Sequence, residues 1–297
     1  MSFSAKVKAE LCRVPMQRLC CVRAEVYGAL LYASAFSHRG IRLSSEYAAV
    51  IRRMQALLQR AFSVDTVPQA SGRKTQITLD SEQAVARVFD ALGYDYKSHI
   101  TYHLNRNVLE NDCCVPAFVR GVFLMAGTVA GPDKKSHLEI KSVHQSLSGE
   151  VTSLLLDLGL SPKLSPRGNG FVLYFKDSVS VEDFLTMIGA PHAAMELMEA
   201  KVEKNIRNTI NRQVNCETAN LVKAADASAR QIVAIRKAME RRGDSAFPEN
   251  LRETVRLRLE YPADSLAELA ARFDPPLSKP GLSHRLRKIT ELSAKED

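Results

Sequence analysis

One stretch of this chain is written twice. The run CCVRAEVYGALLYASAF, Cys20 to Phe36, is answered by CCVPAFVRGVFLMAGTV, Cys113 to Val129. Cys20 and Cys113, Gly28 and Gly121, and Ala33 and Ala126 are all separated by the same interval. Self-similarity at a fixed offset marks a duplicated structural unit. Each copy is apolar nearly all round, with only Glu25 and Arg120 charged after Arg23. A helix of that kind is buried on most sides. Gly28, Ala29, Gly121 and Gly127 are small enough to let two such helices touch, so they are candidates for the seam between the halves.

The order of patterns around the copies supports duplication. In the first half, an apolar helix at 20–35 precedes the alternating stretch GIRLSSE and an amphipathic helix at 46–62. Strand-like pieces at SVDTVP and KTQITL and a helix at 81–92 complete it. In the second half, a helix at 115–128 precedes the strand SHLEIKSV and a helix at 145–159 ending at Gly159. Strands at SPKLS and GFVLYF and a helix at 179–189 follow. Both halves read α, β, α, β, β, α. The fold class expected is α+β: a duplicated α/β domain with pseudo-two-fold symmetry, followed by an all-α domain.

Charge narrows the partners. The 297 residues carry 41 Lys and Arg against 33 Asp and Glu, a formal net charge of +8, which favours a polyanion. No run approaches the ~20 apolar residues of a membrane span, and the N-terminus MSFSAKVKAELCRVP mixes charge too early for a signal peptide. A cytoplasmic protein is expected, with no membrane partner.

The last 50 or so residues carry the sharpest signal. Ser265 followed by Glu268 forms a capping box for SLAELAARF, and Pro275 and Pro276 end that helix. Ser278 then caps KPGLSHRLRKI, whose Leu282, Leu286 and Ile289 face inward. Lys279, Ser283, His284, Arg285, Arg287 and Lys288 are left facing outward, with no acid among them. A short helix, a tight turn and a second helix with a basic outer face is the helix-turn-helix arrangement, whose second helix enters the major groove of double-stranded DNA. A solvated three-helix bundle is the bland alternative.

Between the two regions, residues 191–242 read as a basic helical linker. Met198, Val202, Ile206, Ile210 and Val214 mark one apolar stripe, and Leu221, Val222, Ala225, Ala229, Ile232 and Val233 a second. Asn208, Asn211 and Asn215 lie opposite the first stripe, flanked by Arg207, Arg212 and Lys223. Asparagine is a poor helix former, so this face is retained for hydrogen bonding, either to DNA or between domains.

The thiols Cys20, Cys21, Cys113 and Cys114 could meet across the pseudo-axis as a four-thiolate zinc site. Adjacent residues at a helix start point about 100° apart, whereas structural zinc sites space their ligands by two to four residues. Small buried thiols are the expectation, and His137 and His144 bring no matching ligand set. Neither metal nor cofactor is expected.

Taken together, VYGALLYAS and VRGVFLMAG resemble the paired motifs of LAGLIDADG homing endonucleases. The whole chain, including ENDCCVPAFVRGVFLMAGTV, SHLEI, NRQVNCETANLVK and PPLSKPGLSHRLRKI, resembles the WhiA family of bacterial regulators. The resemblance implies a degenerate LAGLIDADG-type domain joined to a C-terminal helix-turn-helix. It implies roles in transcription control, cell division, chromosome segregation or sporulation, a nucleoid-associated location, and another transcription regulator as a partner. It also implies which positions would carry catalytic carboxylates in an endonuclease. These are Ala33 and Ala126, where a methyl group cannot hold a metal. Glu46, Asp133 and Glu139 lie beyond the helix ends, and Arg42, Lys74, Lys141 and Lys176 are candidate DNA contacts on the strands. The implied division is 1–19 (N-terminal helical segment), 20–190 (LAGLIDADG-like, halves 20–105 and 113–190), 191–242 (linker) and 243–297 (helix-turn-helix). The expectation is therefore a non-enzymatic, sequence-specific DNA-binding regulator. A metal-dependent DNA endonuclease and a chromosome-associated interaction scaffold are the alternatives.

Overall fold

The computed structural model describes residues 2–95 and 102–294; residues 96–101 of the first half and 295–297 of the last segment lie outside the described residues. The chain divides into two compact units, Met1–Lys204 and Asn205–Asp297.

The first unit begins with α1 (Phe3–Leu11), capped by the Ser2 hydroxyl, which accepts from the Ala5 N–H. Its first half runs α2 (Leu19–Leu31), β1 (Ala35–Ser37), β2 (Gly40–Ser45), α3 (Ala48–Phe62), β3 (Gln69–Ser71), β4 (Lys74–Leu79) and α4 (Glu82–Ala91). A 3₁₀ turn, Arg106–Val108, leads into the second half. There α5 (Cys114–Ala126), β5 (Gly127–Val129), β6 (Leu138–Ser142), α6 (Gln145–Asp157), β7 (Lys163–Arg167), β8 (Gly170–Phe175) and α7 (Ser178–Ile188) repeat the order. Each half folds a four-stranded antiparallel sheet of the same topology, β1-β2-β4-β3 and β5-β6-β8-β7. The expected fold class, a duplicated α/β domain, is present. The strand expected at SVDTVP is not: residues 63–68 form no strand, and the outer strand β3 begins at Gln69, after Pro68. Proline has no N–H to give a ladder. The structure also adds β1, three residues after the first seam helix, and β5, directly after the second, and the expected 20–35 and 115–128 helices end at Leu31 and Ala126.

Alternation along the strands fixes the faces. Ile41 and Leu43 on β2 pair with Leu79 and Ile77 on β4 and are buried, which turns Arg42, Ser44, Gln76 and Thr78 outward. In the second sheet Leu138 and Ile140 are buried opposite Phe175 and Leu173, so Glu139, Lys141 and Tyr174 face outward. The inner faces pack on one core with Tyr27, Phe36, Phe89, Phe118, Phe123 and Phe184 at its centre.

Across this core α2 lies against α5, and the packing is reciprocal. A side chain on Gly28 would collide with the carbonyl oxygen of Phe118, and one on Gly121 with the carbonyl oxygen of Glu25. Phe118 and Glu25 occupy equivalent places in the two copies, three residues before Gly121 and Gly28, so one contact occurs twice about a pseudo-two-fold axis. The two charges of the seam meet each other: Arg120 Nε donates to Glu25 Oε2 at 2.9 Å. Arg53 of α3 closes the cluster, its Nη2 donating to Glu25 Oε2 at 2.9 Å and its Nη1 to the Cys12 and Val14 carbonyls at 3.1 and 2.8 Å. Glu25 and the Arg53 head group are almost fully buried, and complete hydrogen bonding is what makes such burial tolerable.

At the N-terminal ends of α2 and α5 the four thiols converge. The Sγ atoms of Cys20, Cys21, Cys113 and Cys114 all lie within 4.8 Å of one another. The spacing argument against such a cluster holds for one helix supplying every thiol. Here each helix supplies two, and the pseudo-axis brings the pairs together.

The second unit contains most of α8 (Pro191–Arg242), a 3₁₀ turn Gly243–Ala246, α9 (Glu249–Glu260), α10 (Leu266–Ala271) and α11 (Lys279–Ala294). Its core unites Leu251, Val255, Leu257, Leu269, Phe273, Leu282, Leu286 and Ile289 with Ile235 and Ala238 of α8. The end of the stretch read as a linker thus contributes to the core of this unit.

Candidate nucleic-acid interface

The C-terminal site is built from local signals upward. Ser265 Oγ accepts from the Glu268 N–H at 3.3 Å, while the Glu268 carboxylate accepts from the Ser265 N–H at 2.8 Å, completing the capping box. Hydrogen bonding from the Ser265 N–H, with the Ser265 side chain, holds the Glu268 carboxyl below its ordinary range. After α10 the Leu277 N–H donates back to the Ala270 carbonyl at 3.0 Å, closing the turn. Ser278 Oγ then accepts from the Gly281 N–H at 3.2 Å at the start of α11. Beneath, Arg258 is buried; burial lowers its affinity for the proton. Its Nη1 donates to the Asp264 carbonyl at 3.0 Å, which ties α9 to the loop before α10.

Leu282, Leu286 and Ile289 anchor α11 in the core, leaving Lys279, Ser283, His284, Arg287 and Lys288 exposed along one side. Arg287 Nη2 lies 3.2 Å from His284 Nδ1, and its Nε lies 3.7 Å from Glu291. Arg285 departs from the expected outward position. It is half-buried with its guanidinium 5.7 Å from the Phe273 ring centroid, a cation–π contact that makes it partly a packing residue.

Along α8, residues 202–226 are all exposed, including Arg207, Asn208, Asn211, Arg212, Asn215 and Lys223. So is the apolar stripe: Val202, Ile206, Ile210 and Val214 are 53–58% exposed. Periodicity identified the helix there but not a partner for its apolar side.

In the first unit, register puts Arg42 and Lys74 on the outer face of the first sheet, and both are exposed. The second sheet differs. Glu139 sits among Lys141 at 2.9 Å, Arg167 at 3.2 Å and His137 at 3.4 Å. Burial pushes its carboxyl up, but the Lys141 hydrogen bond and charge, with His137, outweigh burial and leave it below the ordinary range. Lys176 lies 5.0 Å from the Tyr174 ring. Ala33, Lys141, His144, Arg167 and Asn169 line a cleft of about 590 Å³ beside the end of α2. His144 is stacked on Tyr102 with ring centroids 3.7 Å apart, a packing role. Sequence reasoning missed Arg167, whose outward position depends on the β7–β8 register.

At the C-terminal ends of the seam, Ala126 closes α5 and Ala33 lies just past the end of α2. Lys8 of α1 reaches this end and donates to the Leu124 carbonyl at 3.0 Å. Among the described residues no helix is long and apolar enough to cross a membrane.

Comparison with known proteins agrees with this architecture. Residues 210–293 match the WhiA C-terminal HTH domain, and residues 115–207 match the WhiA LAGLIDADG-like domain. The chain belongs to the WhiA family. The "Probable cell division protein WhiA" of Ruminiclostridium cellulolyticum is 36% identical over 307 residues, covering 99% of this chain and 97% of that protein. The protein of the same name from Clostridium novyi is 35% identical over 309 residues, covering 99% and 98%. The crystal structure of full-length WhiA from Thermotoga maritima aligns over 99% of both chains with a TM-score of 0.62 at 24% identity, which shows the shared fold. The LAGLIDADG-like domain and the helix-turn-helix domain are therefore family architecture.

Proposed function

We propose that this chain is a sequence-specific, double-stranded-DNA-binding regulator of transcription, acting in cell division, chromosome segregation or sporulation, and that it is not a nuclease. The carrying observation is α11, where Lys279, Ser283, His284, Arg287 and Lys288 stand exposed on a helix held by Leu282, Leu286 and Ile289 after a tight turn. Lysine and arginine there suit phosphates and guanine edges, and Ser283 and His284 suit base edges. The exposed Asn208, Asn211 and Asn215 with Arg207, Arg212 and Lys223 are read as a second, backbone-contacting face. In this reading residues 20–190 form the LAGLIDADG-like domain, and 243–297, with the end of α8, form the DNA-binding domain. We infer as well a nucleoid-associated location in the cytoplasm and another transcription regulator as a partner, readings that rest on the helix-turn-helix and on the family resemblance.

Against nuclease chemistry stand the methyl groups of Ala33 and Ala126, the buried Lys8 ammonium at the same end of the seam, and the ion-paired state of Glu139. A divalent ion needs carboxylates that are not already neutralised.

The test uses full-length protein and duplex DNA from the regulatory regions it occupies in cells. Replacing Lys279, Arg287 and Lys288 together with alanine should weaken binding about 10- to 1,000-fold and flatten its salt dependence. Unchanged affinity in the triple variant would remove α11 from the interface. Plasmid DNA incubated with the wild-type chain and Mg²⁺ should stay supercoiled, and nicking that disappears in Glu139→Gln would show that the nuclease reading is the right one.

A further inference from the structure

Among the described residues, one cluster of ligand-type side chains stands apart from the α11 face: Cys20, Cys21, Cys113 and Cys114, two from the first turn or start of each seam helix. We propose that these four thiols form a structural zinc site that clamps the two halves of the duplicated domain at the N-terminal end of the seam.

The geometry is close to what a tetrahedral ion needs. A Zn–S length of about 2.3 Å places the sulfurs of a four-thiolate site roughly 3.8 Å apart. Here all four lie within 4.8 Å of one another, and the Cys20 and Cys113 sulfurs are 4.0 Å apart. Small side-chain rotations suffice. Composition fits as well: the set is all sulfur, which selects zinc over magnesium or calcium, and it is complete, with no place reserved for water. Cys114 is fully buried and the other three are half-buried, so the ion would enter from one side.

Charge is provided for. Four thiolates around Zn²⁺ leave a net charge of −2. Arg18 Nη1 lies 3.5 Å from Cys113 Sγ, and both helices direct their N-terminal N–H groups toward this end. Binding converts four thiols to thiolates and releases their protons. A Cys20–Cys113 disulfide is the competing use of the same sulfurs. It would engage one thiol from each helix and leave Cys21 and Cys114 without a function, whereas the pseudo-axis presents the four as two equal pairs.

Full-length protein, fully reduced and stripped with a chelator, is titrated with Co²⁺. One ion per chain should bind, with the thiolate-to-cobalt charge-transfer band and the intense visible bands of tetrahedral coordination. Zn²⁺ should then bleach both and raise the melting temperature. Cys20→Ser and Cys113→Ser should each abolish the tetrathiolate spectrum, and Cys216→Ser should leave it intact. If either variant misfolds, alkylation of the wild-type chain decides: Zn²⁺ should protect the four clustered thiols and leave Cys216 reactive. The proposal fails if the reduced chain takes up no cobalt, if the spectrum survives in Cys20→Ser, or if Zn²⁺ leaves the four clustered thiols as reactive as before. It also fails if the chain isolated without reductant carries a Cys20–Cys113 disulfide and binds no metal once reduced.

Discussion

The two ends of the α2–α5 pair carry opposite chemistry. At the N-terminal end four thiols crowd within 4.8 Å beside Arg18, an arrangement suited to hold a cation through soft, ionisable ligands. At the C-terminal end, where an endonuclease of this architecture is expected to carry carboxylates, the chain has Ala33 and Ala126, and the Lys8 ammonium fills the vicinity. The backbone packing between the ends is indifferent to both. Gly28 and Gly121 bring the helices to backbone contact, and the Glu25–Arg120–Arg53 cluster locks them in register. Pairing of the helices rests on these contacts between the ends, so the side chains at either end can differ without unpairing them.

The most damaging way to break the comparison is to separate the helices. Gly28→Val and Gly121→Val each drive carbon atoms into a backbone carbonyl that cannot rotate away, so the cost should exceed the ~1–3 kcal/mol usual for overpacking. Circular dichroism should show the first unit's cooperative melting transition lost, and both ends of the seam disrupted with it. Gly127→Ala is the control in kind. Its new methyl meets the ring of Phe123, a side chain of the same helix rather than a backbone carbonyl of the other, and because that ring is fully buried a cost near the upper end of that ~1–3 kcal/mol range is expected. The next effect is Glu25→Ala, which strands two buried guanidinium groups and should cost about 3–5 kcal/mol. Methionine at all three positions should cost clearly less, and an equal loss in chemical denaturation would show that the cluster does more than neutralise itself.

How much of this could be read from the residues follows from where the controlling interactions lie. The duplication was legible because Gly28/Gly121 and Ala33/Ala126 recur at one interval, and helix packing through glycine leaves a mark in sequence. The α10–turn–α11 unit was legible because capping at Ser265 and Ser278 and the Pro275–Pro276 stop are local. Strands β1 and β5 were not: Ala35–Ser37 and Gly127–Val129 are three residues each, and their small and apolar residues read equally well as the last turn of a helix. Pairing with β2 and β6 decides the matter. Arg53 was missed as the partner of Glu25 because nothing in an amphipathic helix says which cation turns inward. A meeting of the four thiols across the pseudo-axis is open to the sequence, but adjacent-residue spacing favours small buried thiols, and only the packing of α2 on α5 shows the sulfurs together. The exposed side of α8 shows the converse, since a period of Val202, Ile206, Ile210 and Val214 specifies helix without specifying cover.

The smallest test touches only the C-terminal end. Burial lowers the Lys8 pKa from 10.5 to about 8, partly offset by Cys12 and Glu46. The unfolded chain therefore holds this proton more tightly than the folded one, and stability must rise with pH as Lys8 gives up its charge above about 8. Cys12 works the other way. Burial raises its thiol from 9.0 to about 11, so folding retains a proton that the unfolded chain releases, and stability falls above 9. Cys21 and Cys114, also raised from 9.0 by burial, act in the same sense as Cys12 and already offset the lysine as pH approaches 9, so the lysine's part is read from the difference between two proteins. Between pH 8 and 9 the wild type should gain up to about 1 kcal/mol of denaturation free energy relative to Lys8→Met. The same substitution should leave cobalt uptake at the four thiols unchanged. If Lys8→Met instead altered the thiol site, the two ends of the seam would have to be treated as one coupled device, and the independence argued from the Gly28 and Gly121 contacts would be wrong.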